Sequence, residues 1–286
     1  MFVRLLCTAI CAASVADAVA SAAPAGTPTV VAADAPHIAS AVANAARAPE
    51  SRERDAERRP AEILALAGIR PGMRVADLAS GRGYWAEILA GAVGESGSVV
   101  LHNPPYVLER FGDMGVPALL AKPHMANARA LVAPLDGLPL ERGAYDAVFL
   151  GLFYHDLYWQ GTDRAAMNAA IRDALAPGGV FVVIDHRAEA GSGARDAKTL
   201  HRIDESEVRR DVERAGFALA AQSDVLARSG DDRAKSVFDD AVRGHTDRFV
   251  FVFRRSADAD AAGGSDAAGG SDAGEAEPAS AADARE

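Results

Sequence analysis

Four short apolar runs mark the middle of this chain: Val75-Ala76-Asp77-Leu78, Val99-Val100-Leu101, Ala147-Val148-Phe149-Leu150 and Val180-Phe181-Val182-Val183-Ile184. A strand that is apolar at nearly every position has no solvent face, so it must be covered on both sides. Helical segments lie between the runs. One is predicted over 84–93 and is stopped by Gly94; another is predicted over 163–175 and is turned by Pro177-Gly178-Gly179. Strands alternating with helices predict a doubly wound α/β sheet, because parallel neighbours need a crossover between them.

Three weaker strands, at 130–133, 217–222 and 248–253, bring the count to seven. No crossover helix is evident in the polar stretch 223–247, so the last two strands are expected as an antiparallel pair at the edge. The prediction is therefore an α/β fold with a single doubly wound seven-stranded sheet, mostly parallel with an antiparallel C-terminal edge strand, in one domain over 36–255. Ahead of it, helices are predicted at 38–46 and 61–67. Pro60 suits the first turn of the second and Gly68 its end. The charge run between them, Arg52-Glu53-Arg54-Asp55-Ala56-Glu57-Arg58-Arg59, reads as a solvated helix face.

Both ends differ from this domain. Arg4 is followed by the apolar stretch Leu5 to Ala16, then by small residues up to Ala23, the pattern of a cleaved export signal over 1–23. Its 12 residues are too few to span a bilayer. A periplasmic or secreted location is expected. Cys7 and Cys11 both lie in this segment, so the processed chain would hold no thiol. Residues 24–35 read as a Pro/Ala/Thr linker. Residues 256–286 contain no Leu, Ile, Val or aromatic residue and carry eight acids against Arg285, which reads as a disordered acidic tail. That tail supplies most of the formal charge of −10. With no basic face, a nucleic-acid partner is not expected.

The chemistry is concentrated in Asp77-Leu78-Ala79-Ser80-Gly81-Arg82-Gly83-Tyr84. A strand ends in an acid, a Gly-x-Gly turn follows, and a helix begins. Glycines let backbone approach a ligand, and a helix N-terminus favours an anionic group. The spacing also fits a weak dinucleotide fingerprint. Against a nicotinamide cofactor stand the acid before the turn and the missing acid after the second strand, where His102-Asn103-Pro104-Pro105 occurs.

With these segments the chain resembles the class I S-adenosylmethionine-dependent methyltransferases. Asp77-x-x-Ser80-Gly81-x-Gly83 is similar to the first motif of that family. Asp136-Gly137-Leu138-Pro139, Tyr145-Asp146-Ala147-Val148, Leu175-Ala176-Pro177-Gly178-Gly179 and Ala215-Gly216-Phe217 resemble its later segments, in the same order. Four further stretches resemble a group of exported bacterial predicted methyltransferases: Asp55-x-x-Arg58-Arg59-Pro60, His155-Asp156-Leu157, His201-Arg202-Ile203-Asp204 and Thr246-Asp247-Arg248-Phe249. The resemblance implies a Rossmann-like methyltransferase fold and S-adenosylmethionine as cofactor. It implies that Ser80, Gly81, Gly83 and Tyr84 line the methionine part and that Asp77 holds the ammonium. It implies that Asp136 and Leu138 contact the adenine, and that Asn103 stands where the family has an acid on the ribose. On residue chemistry alone Asp77 could instead cap the loop, and Asn103-Pro104-Pro105 could be a plain turn.

His155 follows the fourth strand, at the edge where open α/β sheets bind ligands, and is the candidate catalytic base. His102 and His186 fall near other strand ends, and His201 is expected to begin the next helix. A His with Asp156 or Asp185 would suit a divalent ion, but no tight spacing joins them and no metal is assigned. Tyr154, Tyr158 and Trp159 could wall a substrate pocket. The expected function is methyl transfer from S-adenosylmethionine to an unidentified small molecule. The alternative is a non-catalytic binding protein that has kept the fold.

Overall fold

In the computed structural model, which describes residues 35–256, the apolar runs form the centre of one sheet. The expected signal, the expected linker up to Asp34 and the expected tail from Ala257 onward lie outside the described residues. Before the sheet come α1 (Pro36–Ala43), α2 (Pro49–Arg52), α3 (Asp55–Arg58) and α4 (Pro60–Leu66). Then β1 (Arg74–Leu78), α5 (Tyr84–Val93), β2 (Ser98–Asn103), α6 (Pro105–Phe111), α7 (Val116–Leu120) and β3 (Ala128–Val132) follow. The chain continues with β4 (Tyr145–Gly151), α8 (Arg164–Ala174), β5 (Leu175–His186), α9 (Glu205–Arg214), β6 (Phe217–Ser223) and β7 (Arg248–Arg255).

The seven strands lie in the order β3-β2-β1-β4-β5-β7-β6. The first five are parallel, and β7 runs antiparallel to both β5 and β6. The expected antiparallel pair is present, with one refinement: β7 lies inside the sheet and β6 is outermost. Burial explains the order. From Arg248 to Phe253 every residue of β7 is buried, with Phe249, Phe251 and Phe253 on one face and Val250 and Val252 on the other. Beyond Phe217, β6 alternates exposed and half-buried positions, as an edge strand does.

The sheet is covered on both faces. Val75, Val99, Phe149 and Val182 share one apolar cluster with residues of α1, α4 and α5. Ala76, Val148, Leu150 and Phe181 point the other way and share a second with residues of α8 and α9. Each buried Val, Leu or Phe among these contributes about 1.5–3 kcal/mol relative to exposure. Asp163 caps α8 by accepting from the Ala166 N–H (3.0 Å), and Asp204 caps α9 by accepting from the Ser206 N–H (2.9 Å).

Two features position the site. Strand order reverses between β1 and β4, so their carboxyl ends open the crevice where such sheets take ligands. After β5 the chain folds back: Ile203 donates its N–H to the His186 carbonyl and accepts from the Ala188 N–H, both at 2.9 Å. Arg202, wholly buried, anchors this return by a two-point pair with Asp231 (2.8 and 3.0 Å). His201 therefore stands in a loop beside the end of β4, not in the following helix.

Candidate functional site

At the end of β1, Asp77 is 1% exposed. Its Oδ2 accepts the Ser80 hydroxyl proton, while its Oδ1 is buried with no hydrogen-bond partner. Burial is the main influence on this carboxyl, and it pushes the pKa up to about 7 against the opposing pull of Ser80, the Ala86 backbone and the Arg58 charge. A buried acceptor left open is costly unless a ligand completes it.

The loop after Asp77 is held from below. Gly81 donates its N–H to Asn103 Oδ1 (2.8 Å), and the Asn103 amide donates back to the Gly81 carbonyl (3.0 Å). Both polar ends of buried Asn103 are thus engaged by the loop. His102 Nε2 lies 2.8 Å from the Ala133 carbonyl, and its Nδ1 accepts from Ala79. Gly81 has φ +61°, and a Cβ there would meet nothing within 4 Å, so open space borders the loop. Gly83 has φ +86° and begins α5, whose first turn has no side-chain cap. A Cβ on Gly83 would collide with Leu119 and stand 2.9 Å from Leu101 Cδ1. Gly83→Ala is expected to cost about 2–4 kcal/mol through the positive φ and overpacking, read as a lower denaturant midpoint.

Tyr84 brings the N-terminal segment over this loop. Its hydroxyl donates to Asp55 Oδ1 (2.8 Å), and Asp55 also accepts both arms of buried Arg47 (2.8 Å each). Arg58 lies over the Tyr84 ring, 4.4 Å from its centre. The charge run is therefore not simply a solvated face. The Arg58 side chain is only 11% exposed, its Nε has no hydrogen-bond partner, and Glu57 Oε1 is 3.9 Å away. Burial, then the nearby Arg54 charge, lowers its pKa to about 10. Sequence reading gives Arg58 no role beyond a solvated face; only the fold brings its charge close enough to act on Asp77.

Asp136 and Leu138 follow β3. Asp136 is exposed, accepts from the Asp163 N–H (3.2 Å), and lines a cavity of about 310 Å³ with Pro104, Pro105, Tyr106 and Gln160. Leu138 is buried among Val107, Leu135 and their neighbours.

His155 is 3% exposed beyond β4. Its Nδ1 lies 2.8 Å from Asp185 Oδ1, and its backbone N–H donates to Asp185 Oδ2 (2.8 Å). Its Nε2 lies 3.2 Å from His201 Nδ1 and 3.1 Å from Asp156 Oδ1. Burial disfavours charge on this ring, but Asp185 and Asp156 outweigh it and raise the pKa to about 10. A general base at neutral pH works best with a pKa near 7, which this upward shift overshoots. The two carboxylates favour positive charge on the His155 ring. His186 is neutral, pushed well down by burial and then by Arg248; its Nδ1 meets the Thr246 hydroxyl at 2.8 Å, and Arg248 donates to the same hydroxyl at 3.0 Å. Of the three aromatics after β4, Tyr154 is buried against Asn168 and Tyr158 bonds Asp211, both within the α8–α9 packing. Trp159 alone stands near the site, its ring 6.1 Å from His201.

Four of the six non-glycine residues with positive φ among the described residues are Arg59, Ala79, Leu152 and His201, each in or next to this constellation. Such strain persists only where surrounding contacts hold it, and it collects at functional sites.

No protein-family model matches the chain. It is 29% identical over 122 residues to the ubiquinone/menaquinone biosynthesis C-methyltransferase UbiE of Teredinibacter turnerae, covering 43% of this chain and 46% of that protein. The corresponding protein of Shewanella piezotolerans is 29% identical over 119 residues, covering 42% and 45%. The chain thus spans about half the length of the curated relatives it matches. A SAM-dependent methyltransferase from Aquifex aeolicus superposes with a TM-score of 0.50 at 18% identity, over 72% of this chain and 93% of that one. The [4+2]-cyclase SpnF superposes with a TM-score of 0.52 at 17% identity, over 75% and 85%. The last two likenesses concern the fold, and a shared fold does not fix a reaction.

Proposed function

Because this chain belongs to the class I S-adenosylmethionine-dependent methyltransferase superfamily on its fold and its sequence likeness, we propose that it binds S-adenosylmethionine and methylates a small molecule. The observation that carries the reading is the open, buried Asp77 Oδ1 beneath the glycine loop at the sheet's reversal point. An ammonium is the ligand group that would complete it. The unpartnered Nε–H of Arg58 offers the complementary charge for a carboxylate, so the two residues together fit the zwitterionic end of an amino acid.

The donor supplies a methyl group already activated on a sulfonium, so the chain has to position, desolvate and manage charge. Ser80 orients Asp77. Gly81 leaves the space a side chain would fill. Gly83 and Tyr84 start the helix whose free N–H groups face the loop. Asn103 acts as a clamp that sets the Gly81 peptide, not as a grip on the ribose. Asp136, on the cavity behind Pro104 and Pro105, is assigned to the adenine end, with Leu138 as the apolar support beneath. His155 is assigned to the acceptor side, where its charged surroundings favour holding an acceptor oxygen or nitrogen. A periplasmic or secreted location remains part of the proposal and rests on residues 1–23 alone.

Calorimetric titration of the full chain tests this. S-adenosylmethionine and S-adenosylhomocysteine are expected to bind, and NAD is not. Absence of binding by both adenosyl ligands at about 1 mM would reject the reading, since that is the weakest affinity a working site would show. Gly81→Val is expected to fold with a loss of about 1–2 kcal/mol from a branched residue at positive φ, and to bind the cofactor at least tenfold more weakly. Binding equal to wild type would place the cofactor elsewhere.

A further inference from the structure

His155 Nε2, His201 Nδ1 and Asp156 Oδ1 form a nearly equilateral triangle with edges of 3.2, 3.1 and 3.1 Å. Hydrogen bonding alone cannot satisfy it. If both rings carry a proton on these nitrogens, the His155–His201 edge sets proton against proton. If one does, the other nitrogen turns a lone pair toward the carboxylate oxygen. If neither does, all three edges oppose lone pairs. With Asp156 as a carboxylate, every arrangement of the ring protons leaves at least one edge repulsive.

One cation above the triangle resolves all three edges. Donors around a tetrahedral zinc stand about 3.3 Å apart, and an ion about 1 Å out of this plane would reach each donor at about 2.1 Å. We propose that His155, His201 and Asp156 bind a first-row divalent transition-metal ion, with zinc as the reference case. Three features support it. His155 Nδ1 is tied to Asp185 at 2.8 Å, the arrangement by which an outer carboxylate fixes the tautomer that leaves Nε2 free for a metal. His201 is held at φ +54° by the Arg202–Asp231 anchor, so its ring is delivered to the triangle from a part of the chain 46 residues away. Asp156 and His201 are partly exposed, which leaves a route for the ion and an open fourth position, whereas His155 is buried. Two exposed aromatics flank that opening: Trp159 at 6.1 Å and Phe238 at 4.8 Å from the His201 ring. The metal site rests on these donor atoms alone. Its use, to hold an acceptor hydroxyl and lower its pKa, rests on the methyltransferase reading.

The test uses the untagged full chain, stripped by dialysis against chelator and equilibrated with Zn²⁺ or Co²⁺. About one equivalent per chain is expected, with a Kd below about 1 μM, and a cobalt spectrum lacking thiolate charge transfer. His201→Ala and Asp156→Ala are each expected to weaken binding at least about 100-fold, and Asp185→Asn about 10–100-fold. Less than about 0.1 equivalent at 10 μM free zinc would overturn the proposal. A thiolate band would overturn it too, assigning the ion to Cys7 and Cys11, as would wild-type affinity in His201→Ala. Should that variant not fold, X-ray absorption at the zinc edge of the wild type decides: two imidazoles in the shell support the site, and none overturns it. These readouts are independent of S-adenosylmethionine, so failure of the metal site and failure of cofactor binding are told apart.

Discussion

Asp77→Asn is expected to melt higher than wild type at pH 8 and to lose S-adenosylmethionine binding. The two effects share one cause. Asp77 is buried with an open oxygen, and burial lifts its pKa to about 7. In the unfolded chain the same carboxyl ionises in the ordinary aspartate range, near pH 4. Between these values the native state binds more protons than the unfolded state, so stability falls as pH rises. The full contribution is present below about pH 4 and is gone above about pH 7, a loss of at most about 4 kcal/mol. Asn keeps the shape and carries no charge, so it escapes that loss. The difference in melting temperature between variant and wild type should be near zero at pH 4 and grow to as much as about 10 °C at pH 8. An ammonium in the site reverses the balance, because it turns the buried anion into half of a pair. Affinity for S-adenosylmethionine should fall about 100-fold or more in the variant, of the order seen when one partner of a buried charge pair is removed. A variant that melts no higher at pH 8 would refute the open-acceptor argument. One that binds the cofactor as tightly as wild type would refute the ammonium assignment.

Asp77, the glycine loop and the strands around them were legible because their signals are local. The turn between β1 and α5 is written in consecutive residues, and β1, β4 and the start of α5 are marked by apolar runs bounded by Gly. What stayed hidden depends on residues far apart in sequence. Arg58 lies in a run that matches a solvated helix face, and only its packing over Tyr84 buries it. The position after β2 suggests a ligand contact for Asn103, but the fold also pairs its amide with the Gly81 peptide. His201 meets His155 through the return after β5, a contact no spacing rule reaches. The place of β7 inside the sheet was readable in part: Arg-Phe-Val-Phe-Val-Phe is apolar at every position after the Arg, which an edge strand does not need. Tyr154 and Tyr158 were drawn toward the site by sequence proximity, whereas the short turn Tyr154–Tyr158 points them into the α8–α9 layer.

The convergence on Arg58 yields the second large effect. Arg58→Met keeps the long apolar stem over the Tyr84 ring and removes the charge. In the ligand-free chain that should cost little, because burial already works against the cation and lowers its pKa to about 10. In the complex it removes the partner of the methionine carboxylate. A charge-assisted hydrogen bond of this kind contributes about 1.5–3 kcal/mol, so affinity for S-adenosylmethionine should fall about 10–150-fold. A decarboxylated analogue separates this contact from a general disturbance of the pocket. It lacks the group that Arg58 would hold, so wild type and Arg58→Met should bind it equally, both more weakly than wild type binds S-adenosylmethionine. Equal loss of both ligands in the variant would show that Arg58 shapes the cover and does not touch the carboxylate. Asp77→Asn should weaken the decarboxylated analogue as well, because its ammonium is intact. The two substitutions thus divide the amino-acid end of the ligand between one buried anion and one buried cation, each left without a hydrogen-bond partner at one atom by the chain alone.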